Sequence, residues 1–358
     1  MRVYNFSAGP SMLPLPVLEK VQKQLVDYNG TGMSVMEMSH RSKAYQEIND
    51  RAESLLRELL SVPEDYDIIF IQGGASTQFA AVPLNICVNR KADYIVTGNF
   101  AKKAFKEAAT FTDAYCVASS EDKTYTYIPE VKASDFRKDA DYVHICFNNT
   151  IFGTHYPYIP DTAGIPLVAD MSSSILSEEI DVSKFAVIYA GAQKNVGPAG
   201  VTIVIVRKDM QDKVQPICPT MLKWSTQTKE KSLYNTPPCW STYVASEVFA
   251  YLKENGGVKA MHEIDVQKAN MLYDFIDNSD FYTNKVVKKD RSIMNVPFVT
   301  PDPDTDAKFI AEATKEGLVS LKGHRLVGGM RASIYNAMPV EGVKKLIEFM
   351  KKFELENK

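Results

Sequence analysis

Neither sign of charge dominates this chain of 358 residues, in which 41 lysines and arginines face 44 aspartates and glutamates for a net charge of -3. That balance leaves no electrostatic footprint for nucleic acid or for an anionic membrane. Cysteine is sparse. Cys87, Cys116, Cys146, Cys218 and Cys239 are odd in number, dispersed and mostly set in apolar runs, with no C-x-x-C pair. They read as buried reduced thiols rather than a zinc site or a disulfide framework. No apolar run reaches membrane-spanning length. The opening Met1-Arg2-Val3-Tyr4-Asn5-Phe6 lacks the apolar core of a signal peptide, so the cytoplasm is the expected location. Internal repeats and low-complexity linkers are absent as well.

The chain does hold ample core, with 45% hydrophobic and 24% charged residues, the profile of a soluble globular enzyme. Its length predicts about two domains. Helical spacing of Tyr45, Ile48, Ala52, Leu55, Leu56 and Leu59 predicts a helix over Ser42 to Leu60, after another over Leu15 to Tyr28. Apolar runs then alternate with helical segments such as Phe100 to Ala109. The runs are Ile68 to Ile71, Tyr94 to Val96, Ala114 to Val117, Tyr142 to Phe147, Leu167 to Ala169, Phe185 to Tyr189 and Val201 to Val206. Seven buried strands in this pattern predict an α/β fold around a mainly parallel sheet. After Pro237-Pro238 come helices near Ser241 to Lys253 and Val258 to Ile276, split by Gly256-Gly257. A smaller α+β unit follows, with strands at Lys285 to Lys288 and Met294 to Phe298 and helices over Asp306 to Glu316 and Val340 to Phe353. The predicted division is a large domain over 16–257 and a small one over 258–358, with residues 1–15 packed near the latter.

Chemistry concentrates in three places. Lys194 sits in the small-residue turn Tyr189-Ala190-Gly191-Ala192-Gln193-Lys194-Asn195-Val196-Gly197-Pro198-Ala199-Gly200, between two strand-like runs. A primary amine there suits a Schiff base with a carbonyl cofactor such as pyridoxal 5′-phosphate. Asp170 ends a strand-like run 24 residues earlier (194 − 170). Ligand groups gather beyond the carboxyl ends of parallel strands, so the two can face one crevice. A carboxylate beside a pyridine nitrogen keeps that ring protonated and lets it accept electrons. Third, Gln72-Gly73-Gly74-Ala75-Ser76-Thr77-Gln78 joins a strand to a helix. Free amides at the helix start, with the Ser76 and Thr77 hydroxyls, can take a phosphate. The segment is neither a Walker loop nor a G-x-G-x-x-G fingerprint. Read singly, the lysine is also compatible with a surface turn, the aspartate with a helix cap and the glycine pair with an ordinary turn.

Five fragments bring a resemblance. Asn5-Phe6-Ser7-Ala8-Gly9-Pro10, Met38-Ser39-His40-Arg41-Ser42, Ala190-Gly191-Ala192-Gln193-Lys194-Asn195, Tyr234-Asn235-Thr236-Pro237-Pro238, and Lys322-Gly323-His324-Arg325 through Gly328-Gly329-Met330-Arg331-Ala332-Ser333 occur in order across nearly the whole chain. Together they resemble the phosphoserine aminotransferase family, a branch of the class V, fold type I pyridoxal-phosphate-dependent enzymes. The resemblance implies a homodimer whose active sites are shared between subunits. It implies Lys194 as the cofactor-bearing amine and Asp170 as the partner of the pyridine nitrogen. It also implies Ala75, Ser76 and Gln193 around the phosphate, Thr150 beside the ring, and Asn235 with Thr236 reaching the phosphate of the partner subunit's site. Phe100 stands where the family often has a stacking tryptophan, and Ser76 where some members have arginine. A phenyl face still stacks, over less area.

Substrate selection falls by the same resemblance to the cations His40, Arg41, His324, Arg325 and Arg331. Arg331 is assigned the α-carboxylate, and the other four the distal phosphate or γ-carboxylate, groups that arginine forks and histidine donors suit. The implied reaction is transamination between glutamate and 3-phosphohydroxypyruvate, giving 2-oxoglutarate and O-phosphoserine for serine synthesis. Some members also act on a phosphorylated hydroxythreonine in vitamin B6 synthesis. The alternatives are a sister class V reaction, such as alanine–glyoxylate transamination or cysteine desulfuration, and a non-catalytic α/β protein holding an anionic ligand. A desulfurase would need a mobile cysteine, which none of the five has the loop context to be.

Overall fold

The computed structural model describes residues 2–358. Among them, a seven-stranded sheet is formed by β1 (Tyr66–Ile71), β2 (Lys91–Val96), β3 (Asp113–Ser119), β4 (Tyr142–Cys146), β5 (Leu167–Asp170), β6 (Val187–Gly191) and β7 (Thr202–Arg207). Their spatial order is β1-β7-β6-β5-β4-β2-β3. Only β7 is reversed, pairing antiparallel with both β1 and β6, so the mainly parallel sheet read from the sequence is present. The central strands are buried along their whole length because helices cover both faces, whereas the edge strand β3 is only partly buried. Tyr142, Val143 and Ile145 of β4, Val168 and Ala169 of β5, and Val187 and Ile188 of β6 are all buried. Each large aliphatic side chain removed from water here contributes about 1.5–3 kcal/mol.

Helix α1 spans Leu15–Lys23, shorter than the predicted segment, which continues to Tyr28 as turns and bends. Helix α2 (Lys43–Leu59) is capped by Ser42, whose hydroxyl accepts from the Tyr45 amide, and buries Tyr45, Ile48, Ala52 and Leu56. Helices α3 (Gly74–Ile86) and α4 (Asn99–Ala108) follow β1 and β2. The short α5 (Trp224–Lys229) leads to α6 (Cys239–Glu254), which packs on α2, and to α7 (Gly257–Asp277). A second core is built by α7, the antiparallel pair β8 (Asn295–Phe298) and β9 (Met330–Ser333), α8 (Pro303–Lys315) and α9 (Val340–Asn357). Phe6 and Met12 of the amino-terminal segment belong to this second core.

Two predicted strands differ. The run at Phe185 to Tyr189 pairs from Val187 to Gly191 instead, because Asp181 caps a 3₁₀ turn over Val182–Lys184 and Phe185 serves as its buried exit. Lys285 to Lys288 forms no strand. Its neighbourhood offers one isolated bridge, Thr283 to Val299, and then a 3₁₀ turn over Lys288–Asp290. Helix α8 begins earlier than predicted because Asp302 accepts hydrogen bonds from the amides of Asp304 and Thr305, with Pro303 at the first position.

Candidate active site

The carboxyl ends of β4, β5 and β6 lie side by side, with Cys146 in register with Asp170 and Asp170 with Tyr189. Beyond them opens a cavity of about 310 Å³. Lys194, three residues past the end of β6, projects into it. The lysine turn is held from outside by the amino-terminal segment, where the Ser11 amide donates to the Gln193 carbonyl at 2.9 Å and the Ser11 hydroxyl to the Lys194 carbonyl at 2.5 Å. Gly9 lies against the lysine stem in a left-handed conformation, φ 142°, and a Cβ there would approach Lys194 Cγ to 3.4 Å.

Lys194 and Asp170 are both buried. Loss of water pushes the Lys194 pKa below the ordinary lysine value; the Asp170 charge opposes that shift and Arg331 adds to it. Burial likewise raises the Asp170 pKa, against the Ser172 hydrogen bonds and the lysine charge. The Lys194 amine donates to the Thr150 hydroxyl at 2.7 Å, and lies 5.6 Å from the centroid of the Phe100 ring. The Asp170 carboxylate accepts from the Ser172 amide at 2.9 Å.

Helix α3 presents its first turn to the same cavity through Gly74, Ala75 and Ser76. Gly73, with φ 100°, precedes it in a left-handed conformation, and a Cβ there would fall 2.1 Å from Thr77 Oγ1. The close approach exists because the Thr77 hydroxyl donates back to the Gly73 carbonyl at 2.8 Å. Thr77 therefore turns away from the cavity, unlike the arrangement expected from sequence, and Ser76 alone of the two hydroxyl residues lines it.

Of the remaining expected residues, Ala75, Phe100, Thr150, Gln193, His324 and Arg331 share the cavity with Lys194 and Asp170. Arg331, on β9, donates to the Thr150 carbonyl at 3.3 Å, while its buried Nε has no partner. Burial lowers its pKa. His324 accepts from the Leu326 amide through Nδ1, which leaves Nε2 as its N–H in the neutral ring. Partial burial, then Arg331, Arg325 and Lys103, lower its pKa. His40, Arg41, Arg325, Asn235 and Thr236 do not line this cavity. His40 is buried just before α2 with Nε2 unpartnered, and Arg41 and Arg325 are exposed. Asn235 lines a different cavity of about 340 Å³, beside Gly73 and Thr77, and the Thr236 carbonyl accepts from Gln72.

The sequence reading missed Lys103, Asn148, Ser172 and Ser173, which also line the site. Ser172 and Ser173 follow Asp170 after Met171, and Asn148 precedes Thr150 by two, so polar residues at the strand ends were the available signal. Lys103 carried none beyond its place one helical turn after Phe100. Among the described residues no cluster of histidine, cysteine and acidic side chains suits a metal ion, and no helix is long and apolar enough to cross a membrane.

A buried amine, a buried carboxylate, a helix start and a ring face around one cavity fit a flat anionic aldehyde with a basic ring nitrogen. Comparison with known proteins agrees. The Aminotransferase class-V family model matches residues 3–346. The chain is 56% identical to a phosphoserine aminotransferase of Bacillus cereus, across 100% of this chain and 99% of that one. It is 53% identical to one from Streptococcus suis, covering both chains fully. The solved phosphoserine aminotransferase of Bacillus circulans subsp. alkalophilus superposes with a TM-score of 0.97 at 44% identity, covering 100% of this chain and 99% of that one. The pyridoxal-phosphate-bound enzyme of Trichomonas vaginalis gives 0.94 at 40% identity, covering 98% and 100%. This chain belongs to the class V aminotransferases, on the fold type I scaffold.

Proposed function

We propose that the protein is a phosphoserine aminotransferase, exchanging an amino group between L-glutamate and 3-phosphohydroxypyruvate to give 2-oxoglutarate and O-phospho-L-serine in serine synthesis. The observation that carries this reading is the placement of Lys194, Asp170, His324 and Arg331 around one cavity in a chain 53–56% identical to enzymes of that name. Pyridoxal 5′-phosphate, when bound, supplies an electron sink for the charge left on the substrate's α-carbon.

The chain's own residues do the rest. Lys194 would join the cofactor's aldehyde, Asp170 would pair with its ring nitrogen and Phe100 would stack on its ring. The first turn of α3 at Ala75 and Ser76, with Gln193, would hold its phosphate. Burial gives Lys194 a larger neutral fraction than a surface lysine, as a nucleophile and a base require. When not joined to the cofactor, Lys194 Nζ would serve as the base for the proton on the substrate's α-carbon and hold that proton within the site. Thr150 fixes the amine where it starts. Arg331, whose buried Nε awaits an acceptor, receives the α-carboxylate. Lys103 and the Nε2 donor of His324 face the distal anion, Arg325 lies on the same loop as His324, and the pair His40-Arg41 would reach the distal anion from the partner subunit.

Asn235, Thr236, His40 and Arg41 lie outside their own protomer's cavity, which supports a homodimer with shared sites. A cytoplasmic location and the division into domains at 257/258 belong to the same reading, the latter supported by the separate cluster that runs from Ala269 to Phe353, although Val258 and Met261 at the start of α7 pack into the sheet core. The test is whether the purified, pyridoxal-phosphate-loaded protein converts glutamate and 3-phosphohydroxypyruvate to 2-oxoglutarate and phosphoserine. Turnover with alanine or cysteine instead would move it to a sister activity.

A further inference from the structure

Four basic side chains of this protomer line the cavity, Lys103, Lys194, His324 and Arg331, and Asp170 is the one acid among its described lining residues. Lys194 and Asp170 serve the cofactor and Arg331 the α-carboxylate, which leaves Lys103 and His324 for the far end of the substrate. Their positions agree. Lys103 follows Phe100 by one turn of α4, so the two share a helix face while Ala101, Ala104 and Ala108 turn into the core. The Lys103 ammonium stands 5.6 Å from the centroid of the Phe100 ring, as does the Lys194 amine. It also helps to lower the pKa of His324, after burial and the charges of Arg331 and Arg325. The other lysines of the helix are placed differently. Lys106 does not line the cavity, and Lys102 is paired with Glu121, whereas Lys103 is exposed and has no carboxylate partner among the described residues.

We propose that Lys103 is a specificity-determining residue, a cation that favours the distal phosphate dianion of one substrate over the γ-carboxylate of the other. The inference rests on the reading of this cavity as the site where both substrates bind. One subsite must then accept a single negative charge in one half-reaction and close to two in the other, since the second phosphate ionisation lies near about pH 6. A point charge acts on each group in proportion to that group's own charge, so on a free-energy scale its contribution to the phosphate is about twice that to the carboxylate. Lysine suits this task, because its ammonium rides on a flexible stem and can close on a phosphate oxygen or withdraw into solvent.

The test compares pyridoxal-phosphate-loaded wild type with Lys103→Met, following the half-reactions with O-phosphoserine and with glutamate at low salt from roughly pH 5 to pH 8, on either side of the phosphate ionisation. Methionine keeps an unbranched stem and a similar helix propensity at this exposed position and removes the charge. At the upper end of that range the substitution raises the half-saturating concentration about 3-fold for glutamate, the scale of one exposed ion pair, and about 10-fold, its square, for phosphoserine. The limiting rates change less. As pH falls below about 6 the phosphate loses its second charge, and the phosphoserine penalty falls toward that of glutamate. His324, relieved of Lys103, has a higher pKa in the variant and regains charge as pH falls. It does so with both substrates, so the glutamate series isolates its share. Lys103→Arg keeps the charge and recovers most of the phosphoserine loss. Equal penalties for the two substrates, no penalty for either, or a phosphoserine penalty that does not change with pH overturns the proposal. Wild-type protein that responds to glutamate and not to phosphoserine would instead refute the reading of the site on which it rests.

Discussion

Lys194 and Asp170 line one cavity without forming an ion pair, the amine donating instead to Thr150 at 2.7 Å. Their charges still act on one another, since Asp170 opposes the burial that lowers the lysine pKa. The separation leaves the carboxylate free for a second partner and the amine free for an electrophile.

Replacing Lys194 by Ala therefore leaves a folded protein with turnover reduced by at least about 10³-fold, since a nucleophile and a general base are lost together. Borohydride reduction followed by peptide mapping finds the cofactor on Lys194 in the wild type and no labelled peptide in the variant. Activity within a few-fold of wild type would remove Lys194 from the role.

Asp170→Asn separates attachment from chemistry. The variant still takes up the cofactor, but proton abstraction from glutamate, followed by loss of the α-deuterium label, slows by orders of magnitude. Normal exchange would contradict the electron-sink assignment.

The pH dependence of cofactor attachment has a defined sign. A neutral amine is required, and burial places the Lys194 pKa below the ordinary lysine value of 10.5. The attachment rate rises with pH and levels off earlier than for a surface lysine. Because the Asp170 charge raises the lysine pKa, Asp170→Asn moves the midpoint lower still, which stopped-flow absorbance measures.

A buried pair far from the chemistry governs stability. Lys268 Nζ donates to the carbonyls of Ile334, Tyr335 and Met338 at 2.8–3.0 Å and meets Asp265 at 2.8 Å, both side chains being fully buried. Lys268→Met strands the aspartate and three carbonyls, and destabilises by about 3–5 kcal/mol. Burial pushes the Asp265 pKa up, to about 6 even beside its lysine. A raised folded pKa gives stability that is present below the ordinary value of 3.8 and is lost as pH rises through the folded one. The variant's deficit in urea unfolding is thus smaller near pH 5 than at pH 8. A deficit independent of pH would contradict the assignment.

Much of the fold was legible because strands buried on both faces are written as unbroken apolar runs, and the runs at Tyr142, Leu167 and Val201 fall within a residue or two of the observed strands. Lys194 and Asp170 were legible because strand ends on one edge of a parallel sheet converge. Lys285 to Lys288 misled because one β-branched pair, Val286-Val287, does not distinguish a strand from extended coil. The antiparallel sense of β7 follows from a short turn after Lys194 that the sequence presents only as glycines. The buried hydrogen bond from Asn148 to Asn295 left no local mark, since the two lie 147 residues apart. The turning away of Thr77 toward Gly73 was equally hidden, a hydroxyl spent on its own helix cap.

The most direct test of the whole account is a single half-reaction. Loaded protein is mixed with O-phosphoserine alone, then separately with glutamate, alanine and cysteine, while the visible absorbance and the released oxo acid are followed. The account predicts about one equivalent of oxo acid per site from phosphoserine and from glutamate, with loss of the band, and little from the other two. A band that ignores phosphoserine but responds to alanine or cysteine would contradict it.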